Sequence, residues 1–159
     1  MSKTLILYSS YEGNTEKLAI DLATTYKLSI EKIDPIKEFN KKGFLKYALG
    51  GFQVISKKKP KLKKLKSNLD DFDTIILASP VWAGSIVPTI YSFIKRTNLN
   101  DKKLAFFYTH QGGHKNVVKN FKKALDNNPN IISICDCLNV KNDYANQKEK
   151  LFNWYKSLK

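Results

Sequence analysis

The chain has 159 residues, of which 42% are hydrophobic and 12% aromatic, and 28 Lys or Arg residues against 14 Asp or Glu residues give a formal charge of +14. A chain of this length fits one domain, and its apolar content is enough to form a core, which excludes an intrinsically disordered protein. No apolar run approaches the roughly 18 residues that a membrane span needs, and the run at residues 4–8 is too short for a signal peptide. We therefore expect a cytoplasmic protein.

The positive charge is concentrated in one segment. Residues 57–66 contain seven lysines and no acid, which favours a nucleic acid, an anionic lipid or an acidic protein as a partner. Arg96 is the single arginine of the chain, however, and planar recognition of phosphate or guanine relies on arginine. A solvated loop rich in lysine is the simpler interpretation of Lys57–Lys66, and no specific nucleic-acid partner is expected.

In chain order, apolar runs and helical periods alternate. Short apolar runs typical of buried strands lie at residues 4–8, 74–78, 104–108 and 131–134, and the partly alternating residues 28–33 indicate another strand. Helical periods follow at residues 18–26, 87–94, 117–125 and 144–158, and a weaker one lies at residues 43–55. This order predicts an α/β fold in which helices cover both faces of a parallel sheet, as a single domain over residues 1–159.

Three polar loops follow predicted strands, and ligands of open parallel sheets bind beyond the carboxyl ends of the strands. The first loop contains Ser10, Tyr11, Glu12, Gly13, Asn14 and Thr15. Its backbone amides and hydroxyl groups, together with the N-terminus of the following helix, can hold a phosphate without lysine or arginine. Ordinary capping of the helix by Asn14 or Thr15 is the alternative interpretation.

The second loop begins at Ser79-Pro80, which is expected to end the third strand. The residues of this loop that we expect at the site are Pro80, Val81, Trp82, Ala83 and Gly84. Small residues let the backbone pass close to a flat ligand, and an exposed Trp82 ring would offer a stacking face. The alternative is a tryptophan packed into the core.

The third loop contains Thr109, His110, Gln111, Gly112 and Gly113. Its backbone amides could reach the polar edge of an aromatic heterocycle, with His110 or Gln111 adding side-chain donors. A glycine turn with a solvated His110 is the alternative. The three loops together carry more weight than any one of them, because each lies at a predicted strand end.

These segments resemble the short-chain form of the flavodoxin family. The resemblance rests on Leu5–Thr15, on Ile75–Pro88 with its Pro-Val-Trp-Ala-Gly core, and on Tyr108–Gly113. Together with the order of the elements, it covers essentially the whole chain. It implies a three-layer, doubly wound sheet of five parallel strands in the order 2-1-3-4-5, with FMN bound where that order reverses; the strand order comes from the resemblance and not from the residues.

The resemblance also implies roles for the first loop. Ser10, Gly13, Asn14 and Thr15 would hold the FMN phosphate, and the backbone of the two residues between them would lie alongside. The sequence departs from the family at Glu12, where Thr or Ser is usual. We expect this carboxylate to point to solvent, where a helix N-terminus tolerates it.

The other two loops would enclose the isoalloxazine ring. Residues 80–84 would flank the ring, with Trp82 as the stacking residue, and residues 109–113 would line its other side. The flavin would supply the redox chemistry, and the protein would supply position and electrostatics. No catalytic side chain is predicted.

The function implied by the resemblance is that of an FMN-binding electron carrier, which cycles the flavin through its one-electron states. Electron-shuttling flavodoxins are typically acidic, whereas this chain is basic, so we expect partner proteins with acidic docking surfaces and a less negative flavin potential. The main alternative is an FMN-dependent NAD(P)H reductase of quinones or similar acceptors. A third is a basic adaptor that has lost FMN, although no aromatic residue interrupts the lysine run to stack bases.

Two further motifs are expected to be structural. His110 and His114 have the spacing of metal ligands, but Gly112-Gly113 lies between them and no carboxylate motif accompanies them, so we expect solvated histidines and no metal. Cys135 and Cys137 are expected to be one packed and one exposed cysteine at a strand end, in preference to a redox pair.

Overall fold

The computed structural model describes residues 3–37, 59–128 and 130–158. In these ranges the chain forms, in order, β1 (Thr4–Tyr8), α1 (Asn14–Tyr26), β2 (Ser29–Lys32), a 3-10 turn (Leu69–Asp71), β3 (Thr74–Trp82), β4 (Ser85–Ile86), α2 (Pro88–Arg96), β5 (Lys103–His110), α3 (Val117–Ala124), β6 (Ile131–Leu138) and α4 (Tyr144–Lys156). The weak helical period at residues 43–55, and Lys57 and Lys58 of the lysine run, lie outside the described residues.

Five strands form a parallel sheet in the order β2-β1-β3-β5-β6. Counted among the parallel strands alone, this is the order 2-1-3-4-5, so the predicted fold is confirmed. The short β4 was not predicted, and it pairs antiparallel with the end of β3. The order reverses between β1 and β3, and this reversal is where a ligand cleft is expected in such a sheet.

The strands are continuously apolar because helices cover both faces of the sheet. Alternate residues of β1 point to opposite faces, with Leu5 and Leu7 in one buried cluster and Ile6 and Tyr8 in the other. The buried residues of α2 and α3 belong to the first cluster, and those of α1 and α4 belong to the second. The result is the predicted three-layer arrangement.

Three strands continue beyond their predicted ends. β3 continues through Ser79-Pro80, which was predicted to end it. β1 pairs with β3 only as far as Ala78, so Pro80 has a partner strand on one side alone, namely β5. A proline is tolerated at such an edge position. The strand then turns back on itself through Ala83 and Gly84, both of which have positive φ, as a two-residue hairpin turn requires.

The ends of β5 and β6 correct two further expectations. β5 includes Thr109 and His110, which were expected in a loop, and β6 runs on to Leu138. Cys135 and Cys137 both point into the core and are both buried, so the expectation of one exposed cysteine was wrong. The neighbouring Cys135 side chain and burial raise the pKa of the Cys137 thiol, which keeps it protonated.

The helices in the described ranges include none that is long and apolar enough to cross a membrane.

Candidate cofactor site

A cleft of about 220 Å³ lies beyond the carboxyl ends of β1, β3 and β5. Residues from all three predicted loops line it, together with one residue that follows β6. The lining consists of Ser10, Tyr11, Glu12, Asn14, Thr15, Pro80, Val81, Trp82, Thr109, His110, Gln111, Gly112 and Val140. Segments that are distant in the sequence therefore meet at the point where the strand order reverses.

The first loop presents the N-terminus of α1 to this cleft. Gly13 is the N-cap residue, with φ of 89°, and no side chain caps the helix, so the alternative of capping by Asn14 or Thr15 was wrong. The first bond of the helix runs from the Lys17 amide to the Gly13 carbonyl at 2.9 Å. The amides of Asn14, Thr15 and Glu16 therefore have no acceptor within the helix and are placed to bind an anion.

A buried hydrogen bond fixes the first loop to the third. The Thr15 and Thr109 hydroxyl groups lie 2.7 Å apart, and either can be the donor. Both side chains are buried. The bond joins the first turn of α1 to the end of β5, so it sets the distance between two walls of the cleft.

Lysine and arginine are not among the residues that line the cleft. The carboxylate of Glu12 is exposed, as expected. An anion bound at the first loop would therefore be held by backbone amides, hydroxyl groups and the helix dipole, without a cationic side chain.

Two aromatic side chains form one wall of the cleft. The ring centroids of Tyr11 and Trp82 are 4.3 Å apart with an interplanar angle of 38°. The Tyr11 hydroxyl is 2.6 Å from the hydroxyl of Thr89, in the first turn of α2, which anchors the wall. Trp82 is half-buried: it lines the cleft and also packs against the core. It therefore fits both the predicted cleft residue and the alternative of a core tryptophan. Burial raises the pKa of Tyr11, and the hydroxyl stays protonated.

Four predicted site residues, three glycines and one alanine, shape the loops. Gly13, Ala83, Gly84 and Gly113 do not line the cavity itself, but all four have positive φ. A Cβ atom on Gly84 would lie 3.3 Å from the carbonyl oxygen of Gly113, so the second and third loops approach closely there. A side chain at Gly84 would have to push these two loops apart.

His110 is buried, with 6% of its surface exposed, so the expectation of a solvated histidine was wrong. The Gly112 amide donates to its Nδ1 at 3.2 Å. Nδ1 is therefore the unprotonated nitrogen of the neutral ring, and Nε2 carries the hydrogen. Nε2 is buried without a hydrogen bond of good geometry and lies 3.5 Å from an Asp136 oxygen.

The surroundings of His110 favour its neutral form. Burial lowers the pKa of His110, and the nearby His114 lowers it further, while Asp136 opposes both. The two imidazole rings stack with centroids 4.0 Å apart. Asp136 is itself paired with Lys150 of α4 at 2.8 Å, so its negative charge is partly neutralised.

Val140 and Asp136 are parts of this region that the sequence analysis missed. Val140 lines the cleft from the turn after β6. Both residues were hidden because the last strand was predicted to end at residue 134. The alternation of Cys135 and Cys137 on one face was the available signal that the strand continues towards the cleft.

Comparison with known proteins agrees with this architecture. A family model described as "Flavodoxin domain" matches residues 53–146. No curated protein sequence matches the chain.

Solved structures share the fold at low sequence identity. A flavoprotein from Lactobacillus acidophilus NCFM, solved in complex with FMN, is 22% identical and has a TM-score of 0.69, and the match covers 91% of this chain and 99% of that one. A proposed flavoprotein from Bacteroides uniformis ATCC 8492 is also 22% identical, with a TM-score of 0.80 and 98% of both chains covered. An NADH:FMN oxidoreductase in its apo form is 14% identical, with a TM-score of 0.55 and coverage of 98% and 90%.

Proposed function

Because the chain belongs to the flavodoxin domain family, we propose that it binds FMN in the cleft and passes single electrons between protein partners. When bound, FMN supplies the redox chemistry, and the protein supplies its position and electrostatic surroundings. The observation that carries the proposal is the meeting of all three loops at one cleft, at the reversal of the strand order.

The residues of the first loop fit the phosphate of FMN. The amides at the start of α1 have no helical acceptors, and the hydroxyl groups of Ser10 and Thr15 and the amide of Asn14 add side-chain donors. A dianion at a helix N-terminus is stabilised by the dipole as well as by these donors. Thr15 keeps its orientation through its bond to Thr109.

The opposite part of the cleft fits a flat ring. The Tyr11–Trp82 wall offers an aromatic surface, and the backbone that follows β5, at residues 111–113, lies beside it. Gly112, with φ of 114°, lets that backbone come close to a ligand. The flavoprotein from Lactobacillus acidophilus, which shares this fold, was solved in complex with FMN, and that complex supports the same choice of cofactor.

An electron carrier fits better than a reductase. The described cleft has one phosphate-binding cradle, at the first loop, whereas NAD(P)H would bring a pyrophosphate of its own. Partner proteins with acidic docking surfaces are part of the proposal, because the whole chain carries a formal charge of +14. Complementary charge would speed their encounter.

Two measurements test the cofactor. The purified protein should bind FMN with quenching of the flavin fluorescence, and it should bind riboflavin, which lacks the phosphate, at least about 100-fold more weakly. Equal affinities for the two flavins would contradict the phosphate cradle, and absence of binding to either would refute the proposed function.

Two further measurements distinguish an electron carrier from a reductase. The FMN-loaded protein is reduced stepwise while its absorption spectrum is recorded, and steady-state oxidation of NAD(P)H is measured with a quinone acceptor. A carrier should accumulate a one-electron form and should not turn over NAD(P)H. Rapid quinone-dependent oxidation of NAD(P)H without a one-electron form would establish the reductase.

A further inference from the structure

The positive charge of the described chain lies mostly on one face of the molecule. Three elements cover the same face of the sheet, namely the segment at residues 59–67, α2 with its following residue (residues 88–97), and α3 with its flanking turns (residues 114–127). We call these residues the basic layer. Leu62, Phe93 and Phe121, one from each element, pack against one core cluster, so the lysines between the buried residues face outward.

Hydrogen bonds and an ion pair join the three elements side by side. The Ser92 hydroxyl donates to the Pro60 carbonyl at 2.7 Å, and the Arg96 guanidinium donates to the Lys59 carbonyl at 3.1 Å. At the other side of α2, Lys95 is paired with Asp126 at 2.9 Å. The lysine segment, α2 and α3 therefore form one continuous surface.

Eleven basic residues and one acid, Asp126, give the basic layer a formal charge of +10. The basic residues are Lys59, Lys61, Lys63, Lys64, Lys66, Lys95, Arg96, Lys115, Lys119, Lys122 and Lys123. All except the half-buried Lys95 are exposed. Glu31 of β2 adds one negative charge at the border of the layer, because its carboxylate accepts the amides of Lys66 and Ser67 at 2.6 and 2.9 Å. Asp70, Asp71 and Asp101 precede β3 and β5 and so belong to the amino-terminal edge of the sheet.

The opposite layer is close to neutral. Residues 14–27 and 141–158 contain six lysines and four acids, namely Lys17, Lys27, Lys141, Lys148, Lys150 and Lys156 with Glu16, Asp21, Asp143 and Glu149. Lys148 is paired with Asp21 at 2.7 Å, and Lys150 with Asp136 at 2.8 Å. The asymmetry between the two layers is therefore large.

We infer that the basic layer is a docking face for the anionic lipid surface of a membrane. A surface of phosphate headgroups needs only diffuse positive charge from its partner, and each lysine near such a surface strengthens binding about fivefold. Charge alone, without an inserted chain or apolar wedge, gives reversible attachment. The basic residues of this layer do not line the cleft, and the inference does not depend on bound FMN.

The chemistry of the layer distinguishes a membrane from other anionic partners. Protein interfaces are depleted in lysine and enriched in exposed aromatic residues, whereas Phe93 and Phe121 are buried and Tyr91 is half-buried. Single-stranded nucleic acid requires exposed stacking rings. Duplex recognition uses arginine and an element that enters a groove, but the one arginine is bonded to the Lys59 carbonyl and α2 and α3 lie side by side in one layer.

Two variants with the same net charge test the inference. Lys119, Lys122 and Lys123 of α3 are replaced by Gln in the first, and Lys27, Lys141 and Lys156 of the opposite layer are replaced by Gln in the matched control. Sedimentation of the full chain is measured with vesicles of phosphatidylcholine alone and of phosphatidylcholine mixed with phosphatidylglycerol, over a series of salt concentrations. Far-UV circular dichroism and urea unfolding of both variants check that each remains folded.

We expect binding only to the vesicles that contain phosphatidylglycerol, and loss of binding as salt increases. The α3 variant should bind at least about tenfold more weakly, and the control variant should stay within about twofold of the natural chain. Equal losses in the two variants would overturn the inference, as would no vesicle binding. Tighter binding to a duplex DNA probe at the same phosphate concentration would assign the layer to nucleic acid instead.

Discussion

A single imidazole connects the cleft to the outermost strand and helix. His110 accepts the Gly112 amide through Nδ1, so it holds the third loop only while that nitrogen is unprotonated. Its other nitrogen faces Asp136, which is held in turn by Lys150 of α4. The charge state of one buried side chain therefore decides whether the third loop keeps its hydrogen bond.

This arrangement predicts a pH dependence of stability. The pKa of His110 is lowered in the folded protein, by burial first and then by His114, whereas the unfolded chain takes up the proton near a pH of about 6.5. Below that pH the unfolded state binds more protons, so the free energy of unfolding should fall on acidification until the pH reaches the folded pKa. Urea unfolding at a series of pH values measures this decline.

The variant His110→Asn is the matched control, because its amide oxygen can still accept the Gly112 amide but does not titrate. We expect its stability to be flatter than that of the natural chain just below a pH of about 6.5, above the range in which carboxylates titrate. Parallel curves for the two proteins would show that His110 is not the titrating group.

The aromatic wall gives a second prediction at the scale of single residues. Replacing Trp82 by Leu removes the partner of Tyr11 and an aromatic face of the cleft. An aromatic pair contributes about 0.5–1.5 kcal/mol beyond its buried area, so FMN should bind roughly two- to thirteenfold more weakly in a fluorescence titration. Trp82→Phe should keep most of the affinity, and an equal loss in the two variants would argue against stacking.

At the scale of elements, the apolar runs locate the sheet, but they do not give the strand ends that form the site. β1 matches its prediction to the residue because the β-branched Thr4 leads into the buried run Leu5–Tyr8 and polar residues follow it. β3 is longer than predicted because Pro80 lies where β1 no longer pairs with it. Local sequence carries no information about which strand is a neighbour at that point.

The burial of His110 shows the same limit. A glycine-rich stretch predicts a solvated loop, but β6 and Asp136 lie alongside His110 in space and remove it from solvent. The positions of the three loops could be predicted, because each follows an apolar run that forms one of the five parallel strands. The contacts between the loops, such as the approach of Gly84 to Gly113, depend on tertiary packing.

One of those contacts predicts a coupling between two elements. Thr15→Val leaves the buried Thr109 hydroxyl without its partner, and Thr109→Val does the same to Thr15. Each change should lower the free energy of unfolding of the FMN-free protein by about 1–3 kcal/mol. The double variant leaves neither hydroxyl unpaired, so it should lose less than the sum of the two, as measured by urea unfolding. Additivity within about 0.5 kcal/mol would mean that the bond does not couple α1 to β5.

At the scale of the whole molecule, the charge distribution separates two surfaces. The cleft is lined by polar and aromatic residues and is not lined by lysine, while the basic layer covers the outer side of α2 and α3. A membrane bound at that layer would leave the edge of the sheet that carries the cleft free to meet another partner.

The net positive charge also acts on the flavin itself, because an anionic reduced flavin is more stable near positive groups than near negative ones.

The flavin potential should therefore respond to charge according to distance. One charge about 10 Å away in water changes it by roughly 20 mV. Replacing Glu12, which lines the cleft, by Gln should make the last one-electron step less negative by roughly that amount in a redox titration of the FMN-loaded protein. Lys27→Gln changes the charge at the far end of α1, about 20 Å along the helix and beyond the Debye length of about 10 Å, so its potential should not move. The natural chain, being basic, should have a less negative potential than acidic members of its family. Equal shifts from Glu12→Gln and Lys27→Gln, with opposite signs, would instead mean that net charge matters and position does not.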